Sequence, residues 1–233
     1  MSAFATLVEH LADLLQPLFG ASAAAGAIVL FTAAVRLLVH PLSRAAARGQ
    51  RARAALQPKI AELRKKYARS PERLQQAVLE LHAEEKVSPL SGLLPSLCQL
   101  PAFFLLYHLF SSTSIGGRAN ELLGHEFLAA PLGDRWTDAL ADGGAFGAAG
   151  LVYLGLFAVV AVVASFNYVR AKRVPLPQPA VGGEVPGLGA VARVMPFLSF
   201  FTLVTVAVVP LAAALYVITS TAWSAVERAA LYR

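Results

Sequence analysis

Residues 23–42 read AAAGAIVLFTAAVRLLVHPL, an apolar stretch that carries one arginine, Arg36, in its second half. The hydrocarbon core of a bilayer, about 30 Å thick, takes roughly 20 helical residues to cross, so this stretch reads as a transmembrane helix. The composition around it agrees. The 233 residues are 57% hydrophobic and only 15% charged, whereas about a quarter of a water-soluble domain is charged. Such a chain cannot cover itself with polar surface. That excludes a soluble α/β enzyme and, given the long apolar runs, a disordered regulator. The single cysteine, Cys98, sits in an apolar run as a small buried hydrophobe and excludes both a disulfide framework and a cysteine-based zinc site.

Working outward, further runs approach spanning length at 90–111, 146–168, 191–208 and 210–227. The last two nearly touch. Read as one helix, 191–226 would be about 54 Å long at 1.5 Å per residue, far more than a bilayer needs. Pro210 is placed to end one helix or open the next. The split leaves two short spans, which calls for little tilt or a locally thinned membrane.

Basic residues near the span ends orient the set. Eleven of the 20 Lys and Arg fall between Arg44 and Lys86, and Arg170, Lys172 and Arg173 follow the third span with Arg193 at the foot of the fourth, so both segments belong in the cytoplasm. The connection 112–145 holds Arg118 and Arg135 against five acids, and the first 23 residues have no Lys or Arg, so both belong outside. The expected fold class is an all-α membrane protein with five transmembrane helices and a cytoplasmic helical hairpin, N-terminus outside and C-terminus inside.

Between the spans the chain has distinct characters. Residues 1–22 lack the basic start of a cleavable signal; Phe4, Leu7, Val8, Leu11, Leu14, Leu15 and Leu18 recur at helical spacing, the pattern of an amphipathic helix on the outer surface. Segment 43–89 reads as a helical hairpin: Leu56, Ile60, Leu63 and Tyr67 form one narrow stripe and Leu74, Val78 and Leu81 another. Ser70-Pro71-Glu72 is placed to cap the second arm and Ser88-Pro89 to stop it. The arms should pack on each other and little else. Their charge reads either as a solvated face or as a surface for anionic lipid, ribosomal RNA or acidic protein. Segment 169–190, rich in Pro and Gly, reads as a flexible cytoplasmic loop.

Arg36 is the residue that does not belong in its surroundings. A guanidinium inside a lipid-facing helix costs a few kcal/mol, so it faces protein or water. Snorkelling to the headgroups is one way out. The absence of Asp or Glu from the five spans, taken as ending at Val226, argues instead for water, because a buried unpaired charge is untenable. Water in the inner half of the membrane implies a cavity open to the cytoplasm. Its lining would come from Gln99, Ser165, Asn167, Ser199, Thr202, Thr205, Thr219, Ser220 and Thr221, although each Ser or Thr also serves helix packing. A hydrated cationic pocket suits an anion channel, a transporter or a groove that handles polypeptide.

A longer string of motifs bears on that choice. It runs from Arg36-Leu37-Leu38-Val39-His40-Pro41-Leu42 through Gln57-Pro58-Lys59-Ile60, Leu63-Arg64-Lys65-Lys66-Tyr67 and Leu74-Gln75-Gln76. It continues through Val87-Ser88-Pro89-Leu90 and Leu94-Pro95-Ser96-Leu97-Cys98-Gln99-Leu100-Pro101-Ala102-Phe103-Phe104 to Tyr107, with Pro210-Leu211-Ala212-Ala213-Ala214-Leu215-Tyr216 in the last span. In order and spacing it resembles the YidC/Oxa/Alb family of membrane protein insertases, in a short form without a large periplasmic domain.

The resemblance implies a monomer with a hydrophilic groove open to the cytoplasm and to lipid. Groove residues would be Arg36, Gln99, Ser165, Asn167, Thr202, Thr205 and Ser220. A hydrophobic slide on the second and fourth spans would present Phe103, Phe104, Leu106, Met195, Phe197, Phe200 and Phe201, with Tyr216 beside it. Partners implied are nascent membrane proteins and the lipid bilayer of the bacterial inner membrane, together with the ribosome, the signal recognition particle and its receptor, and the Sec translocon. No cofactor, nucleotide or metal is implied. Departures from the family's pattern are Val217 after the tyrosine, Ser88 before Pro89, and a C-terminus at Arg233 without a long basic tail.

An enzyme is not expected. His82 with Glu84 and Glu85, and His125 with Glu126, bring a His beside carboxylates, and neither set offers a third ligand on a rigid element. The rival reading is an anion channel or transporter built on Arg36, but such proteins commonly show internal duplication and broken helices, and neither is evident here.

Overall fold

The computed structural model describes residues 2–87, 94–173 and 195–231, and for a few of these, Gln99 and Met195 among them, only the backbone path. The expected stop at Ser88-Pro89 and most of the Pro- and Gly-rich segment 169–190 lie outside the described residues. The fold is predominantly helical, and its core mixes alanines with large apolar side chains such as Tyr153 and Phe110.

The chain opens with α1 (Ser2–Phe19), and a turn of tighter helix at Gly20–Ser22 folds it back along the start of α2 (Ala23–Lys66). The contact is close because the facing residues are small: Ala5, Val8, Ala12 and Leu15 are buried against Ala23, Ala24, Ala27 and Ile28. At Gly26 an added Cβ would meet the Leu15 side chain at 3.6 Å. Phe4 and Phe31 meet edge to face with ring centroids 6.3 Å apart. The apolar residues of α1 therefore divide between two faces, and Phe4, Leu7, Leu14 and Leu18 stay exposed while Val8 and Leu15 turn inward.

Helix α2 is 44 residues long, about 66 Å at 1.5 Å per residue. Pro41 and Pro58 both lie inside it. The border at 42/43 suggested by composition is therefore not a break in the helix, and the apolar span runs straight into the first arm of the basic hairpin. α3 (Pro71–Glu84) forms the second arm. Leu56 and Ile60 bury themselves against Leu74 and Val78, with Leu63, Tyr67, Leu81 and Val87 at the edges. Ser70 stands at the N-cap position, but its side chain makes no capping bond. The Lys59 ammonium donates to Glu85 across the arms, which holds its pKa above the ordinary lysine range.

α4 (Leu94–Ser111) leads into the connection 112–147, which holds more structure than its sequence suggested. β1 (Ser114–Ile115) pairs antiparallel with β2 (Arg118–Ala119), and β3 (Glu126–Phe127) with β4 (Ala130–Pro131). A short α5 (Trp136–Ala141) follows. Ile115, Leu122, Ala130, Leu132 and Ala139 are buried in the main core, so this connection packs onto the helices as a cap. Asn120 Nδ2 pins it by donating to the Leu109 and Ser112 carbonyls at 2.9 and 3.0 Å.

α6 (Ala148–Arg173) carries Tyr153, whose hydroxyl donates to the Asp134 carbonyl at 2.6 Å while its ring packs on Trp136. A turn of tighter helix (Met195–Phe200) runs into α7 (Phe201–Val208), and α8 (Leu211–Leu231) closes the described chain. The break between α7 and α8 falls at Val209, whose backbone is extended, and Pro210. The cap stabilises that break: Leu211 and Ala212 donate their N–H groups to the Asp134 and Leu132 carbonyls at 2.8 and 2.9 Å, occupying helix-start donors that would otherwise lack partners. α8 is the hub of the bundle, touching α2, α4, α6 and α7.

By length and composition, two helices among the described residues could cross a membrane alone: the continuous Phe4–Lys66 stretch and Ala148–Lys172. Phe197–Val208 is a shorter apolar helix.

Candidate functional site

Arg36 lies one helical turn beyond Thr32, which is fully buried and donates back to the Ile28 carbonyl at 2.7 Å. At this point α2 changes character. Residues 23–32 are mostly sealed, whereas from residue 33 onward the faces are half-buried or open. The Arg36 guanidinium is half-buried and donates through Nη2 to Ser220 Oγ on α8. Ser220 itself is buried. One turn further along α2, His40 Nδ1 and Glu227 Oε1 lie 2.5 Å apart. Further still, Arg51 donates to the Leu231 carbonyl.

These contacts pair residues 36, 40 and 51 with 220, 227 and 231 in ascending order, so α2 and α8 run parallel along a shared polar seam. The physical reason is periodicity: 36 and 40 share one helix face, as do 220 and 227. Glu227, the final residue of the run 210–227, supplies a carboxylate at this site that the reading of the spans as free of acids left out. It lies one rung along the seam from Arg36, with Arg228 next to it in the chain. The premise that no acid accompanies Arg36 is thus corrected by a residue at the very end of the last apolar stretch. The signal available in the sequence was Glu227 itself, the one acid in an apolar run that has no other.

The other expected groove residues are placed less uniformly. Ser165 is exposed on α6 and Thr202 half-buried on α7. Thr205, Thr219 and Thr221 donate to carbonyls of their own helices, the packing role such residues take in membrane helices. The side chain of Gln99 lies outside the described residues, and so does that of Met195. Asn167 Oδ1 on α6 and Trp223 Nε1 on α8 are buried without a hydrogen-bond partner among the described residues. An acceptor and a donor of this kind cost free energy until a polar group meets them.

The expected slide divides into two aromatic groups. On α4, Phe103 and Phe104 are exposed, and Phe103 stacks on Tyr107 at 6.0 Å. Beside the other wall, Tyr168 meets Phe197 at 5.0 Å and Phe200 at 5.9 Å; Phe197 and Phe201 are exposed and Phe200 is half-buried. Tyr216 and Leu106 are buried, so neither presents a surface. Tyr216 instead supports the slide from behind, with its ring 5.9 Å from Phe103 and 6.0 Å from Phe110. Among the described residues no cluster of His, Cys, Asp and Glu could hold a metal ion.

With this geometry in hand, comparison with known proteins is informative. The family described as 60Kd inner membrane protein matches residues 14–233, nearly the whole chain. The chain belongs to that family. It is the YidC/Oxa/Alb family of the motif string, and membership makes this a bacterial inner-membrane protein. The membrane protein insertase YidC of Clostridium perfringens is 42% identical over 110 residues, which are 47% of this chain and 43% of that protein. Proteins of the same name from Magnetococcus marinus and Chlorobium limicola are 43% and 36% identical over 81 and 86 residues, in each case 15% of the relative's length. The matches therefore span less than half of these YidC proteins.

Proposed function

We propose that the chain is a membrane protein insertase whose working site is a cytoplasm-open groove containing Arg36. The observation that carries this reading is the Arg36–Ser220 contact. It is a half-buried cation on the inner stretch of two parallel helices whose outer stretches are sealed by apolar packing and by the cap. A cation so placed attracts the short acidic outer segment of an incoming protein and shortens the apolar distance it must cross. The client's own helix partitions into lipid beside Phe103, Phe104, Phe197 and Phe201. Transfer then runs on hydrophobic burial, about 25 cal/mol per Å2 of apolar surface, and on the membrane potential acting on negative charge. Asn167 and Trp223 offer unspent hydrogen-bonding groups to polar backbone passing between α6 and α8.

The topology proposed is five spans, N-terminus outside and C-terminus inside. The parallel course of α2 and α8 supports it, because the first and last of an odd number of spans cross in the same direction. The hairpin of α2 and α3 would receive nascent clients. The ribosome, the signal recognition particle with its receptor, and the Sec translocon are proposed there as partners of a monomer.

The deciding experiment is reconstitution with a single-span client bearing an acidic outer tail. Arg36→Glu reverses the attraction and should lower insertion about tenfold; equal insertion would remove Arg36 from the mechanism. An anion flux lost in Arg36→Ala, without insertion, would favour the channel reading instead. For topology, cysteine at Ala119, which is exposed, should react with an outside-only thiol reagent in a Cys98→Ala background, and cysteine at Ala68 should not.

A further inference from the structure

Resting on the insertase reading, we infer that Glu227 is a selectivity residue of the Arg36 site: its carboxylate is a resident counter-charge with which an incoming acidic segment competes. Two side-chain rungs of the seam bear on this. The deeper one joins Arg36 to Ser220; the one nearer the cytoplasmic ends of α2 and α8 joins His40 to Glu227 at 2.5 Å, with the Glu227 side chain only 11% exposed. Ser220 and Glu227 share a face of α8 about 10 Å apart, and Arg36 and His40 share a face of α2 about 6 Å apart. A client entering from the cytoplasm meets the carboxylate before it meets the guanidinium.

The arrangement is not what attraction alone would favour. A groove built only to draw in negative charge would leave Arg36 uncompensated or surround it with cations. Arg228, whose Nε donates to the Ser224 carbonyl, and Arg51, held on the Leu231 carbonyl, do stand near this mouth. Yet the buried position beside His40 is filled by an acid, which places a negative charge along the seam from Arg36. Its consequence is discrimination. Weakly acidic or neutral tails lose little, whereas strongly acidic tails meet both an attracting and a repelling group, so the groove holds them less tightly and releases them more readily.

The test uses the full chain in liposomes and two single-span clients whose outer tails match in length, one acidic and one neutral. Glu227→Gln keeps the shape and removes the charge; the ratio of acidic to neutral insertion should rise about threefold to tenfold, the effect of one charge near 10 Å in a partly hydrated site. Glu227→Asp keeps the charge and should keep the wild-type ratio even if total insertion falls. An unchanged ratio in Glu227→Gln, or equal loss for both clients, would overturn the inference and leave Glu227 as a mere packing contact between α2 and α8. Should Glu227→Gln aggregate, Arg228→Gln supplies the opposite arm, since removing the neighbouring cation must lower the ratio and no change overturns the idea. Wild-type protein that inserts neither client removes the insertase reading and this inference with it; active wild-type protein with an insensitive ratio removes this inference alone.

Discussion

The outer and inner stretches of the same two helices, α2 and α8, are built on opposite terms. In the outer stretch, Leu211, Ala212, Ala213 and Ala214 are fully buried, as are Ala27 and Ile28 facing into the same core, and the cap seals the end through backbone hydrogen bonds. In the inner stretch the helices meet through Arg36–Ser220 and His40–Glu227, and much of the neighbouring surface is open. Small side chains allow the backbones to approach and exclude everything else. Polar side chains hold the helices together while admitting groups of their own kind. The difference teaches that one stretch of the helix pair is sealed and the other open, which is what the proposed groove needs.

The comparison breaks most visibly if a large outer side chain can be removed cheaply. Phe110 is fully buried against Tyr216, so Phe110→Ala should cost about 3 to 5 kcal/mol, read as a lower midpoint of thermal unfolding in detergent. Insertion per folded molecule should stay near that of the wild type. Ser220→Ala should do the reverse. It removes one acceptor from Arg36 and costs about 1 kcal/mol of stability, yet it should reduce insertion of acidic-tailed clients, because the guanidinium loses the contact that orients it. If Ser220→Ala lowered stability more than Phe110→Ala, the division into a sealed and a working stretch would be wrong.

The smallest effect concerns the cap. Burial, and then the nearby Asp138 and Asp142, push the Asp134 carboxyl above the usual carboxylate range. A carboxyl whose folded pKa is raised contributes its stability at low pH and loses it as pH rises through that raised value. The unfolding temperature of the wild type should therefore fall slightly between acidic and neutral pH, and Asp134→Asn should flatten that slope. The backbone carbonyl of Asp134, which accepts from Tyr153 and Leu211, is untouched by the change. An unaltered slope would mean that the cap does not bury this side chain in solution.

The connection between α4 and α6 also shows where reading residues in order reaches its limit. Leu122, Ala130 and Leu132 gave no periodic signal, because two-residue strands and a single helical turn are too short to carry one, yet all three are buried in the main core. The hairpin was legible for the opposite reason. Leu56, Ile60, Leu74 and Val78 repeat at helical spacing over several turns, and an apolar stripe in an otherwise charged segment can be buried only against its counterpart.

What the sequence determined by itself was the solvent and the elements. Runs of apolar residues of bilayer length, the asymmetry of Lys and Arg about them, the break at Pro210 and the oddness of Arg36 all follow from transfer free energies that act residue by residue. What only the tertiary structure decided was partnership: that Ser220 receives Arg36, that Glu227 reaches His40, that Tyr216 lies behind Phe103, and that the Asp134 and Leu132 carbonyls cap α8. Each of these joins residues that are close in space but distant along the chain. Such contacts depend on how helix faces are rotated and shifted against one another, and local spacing carries no information about either.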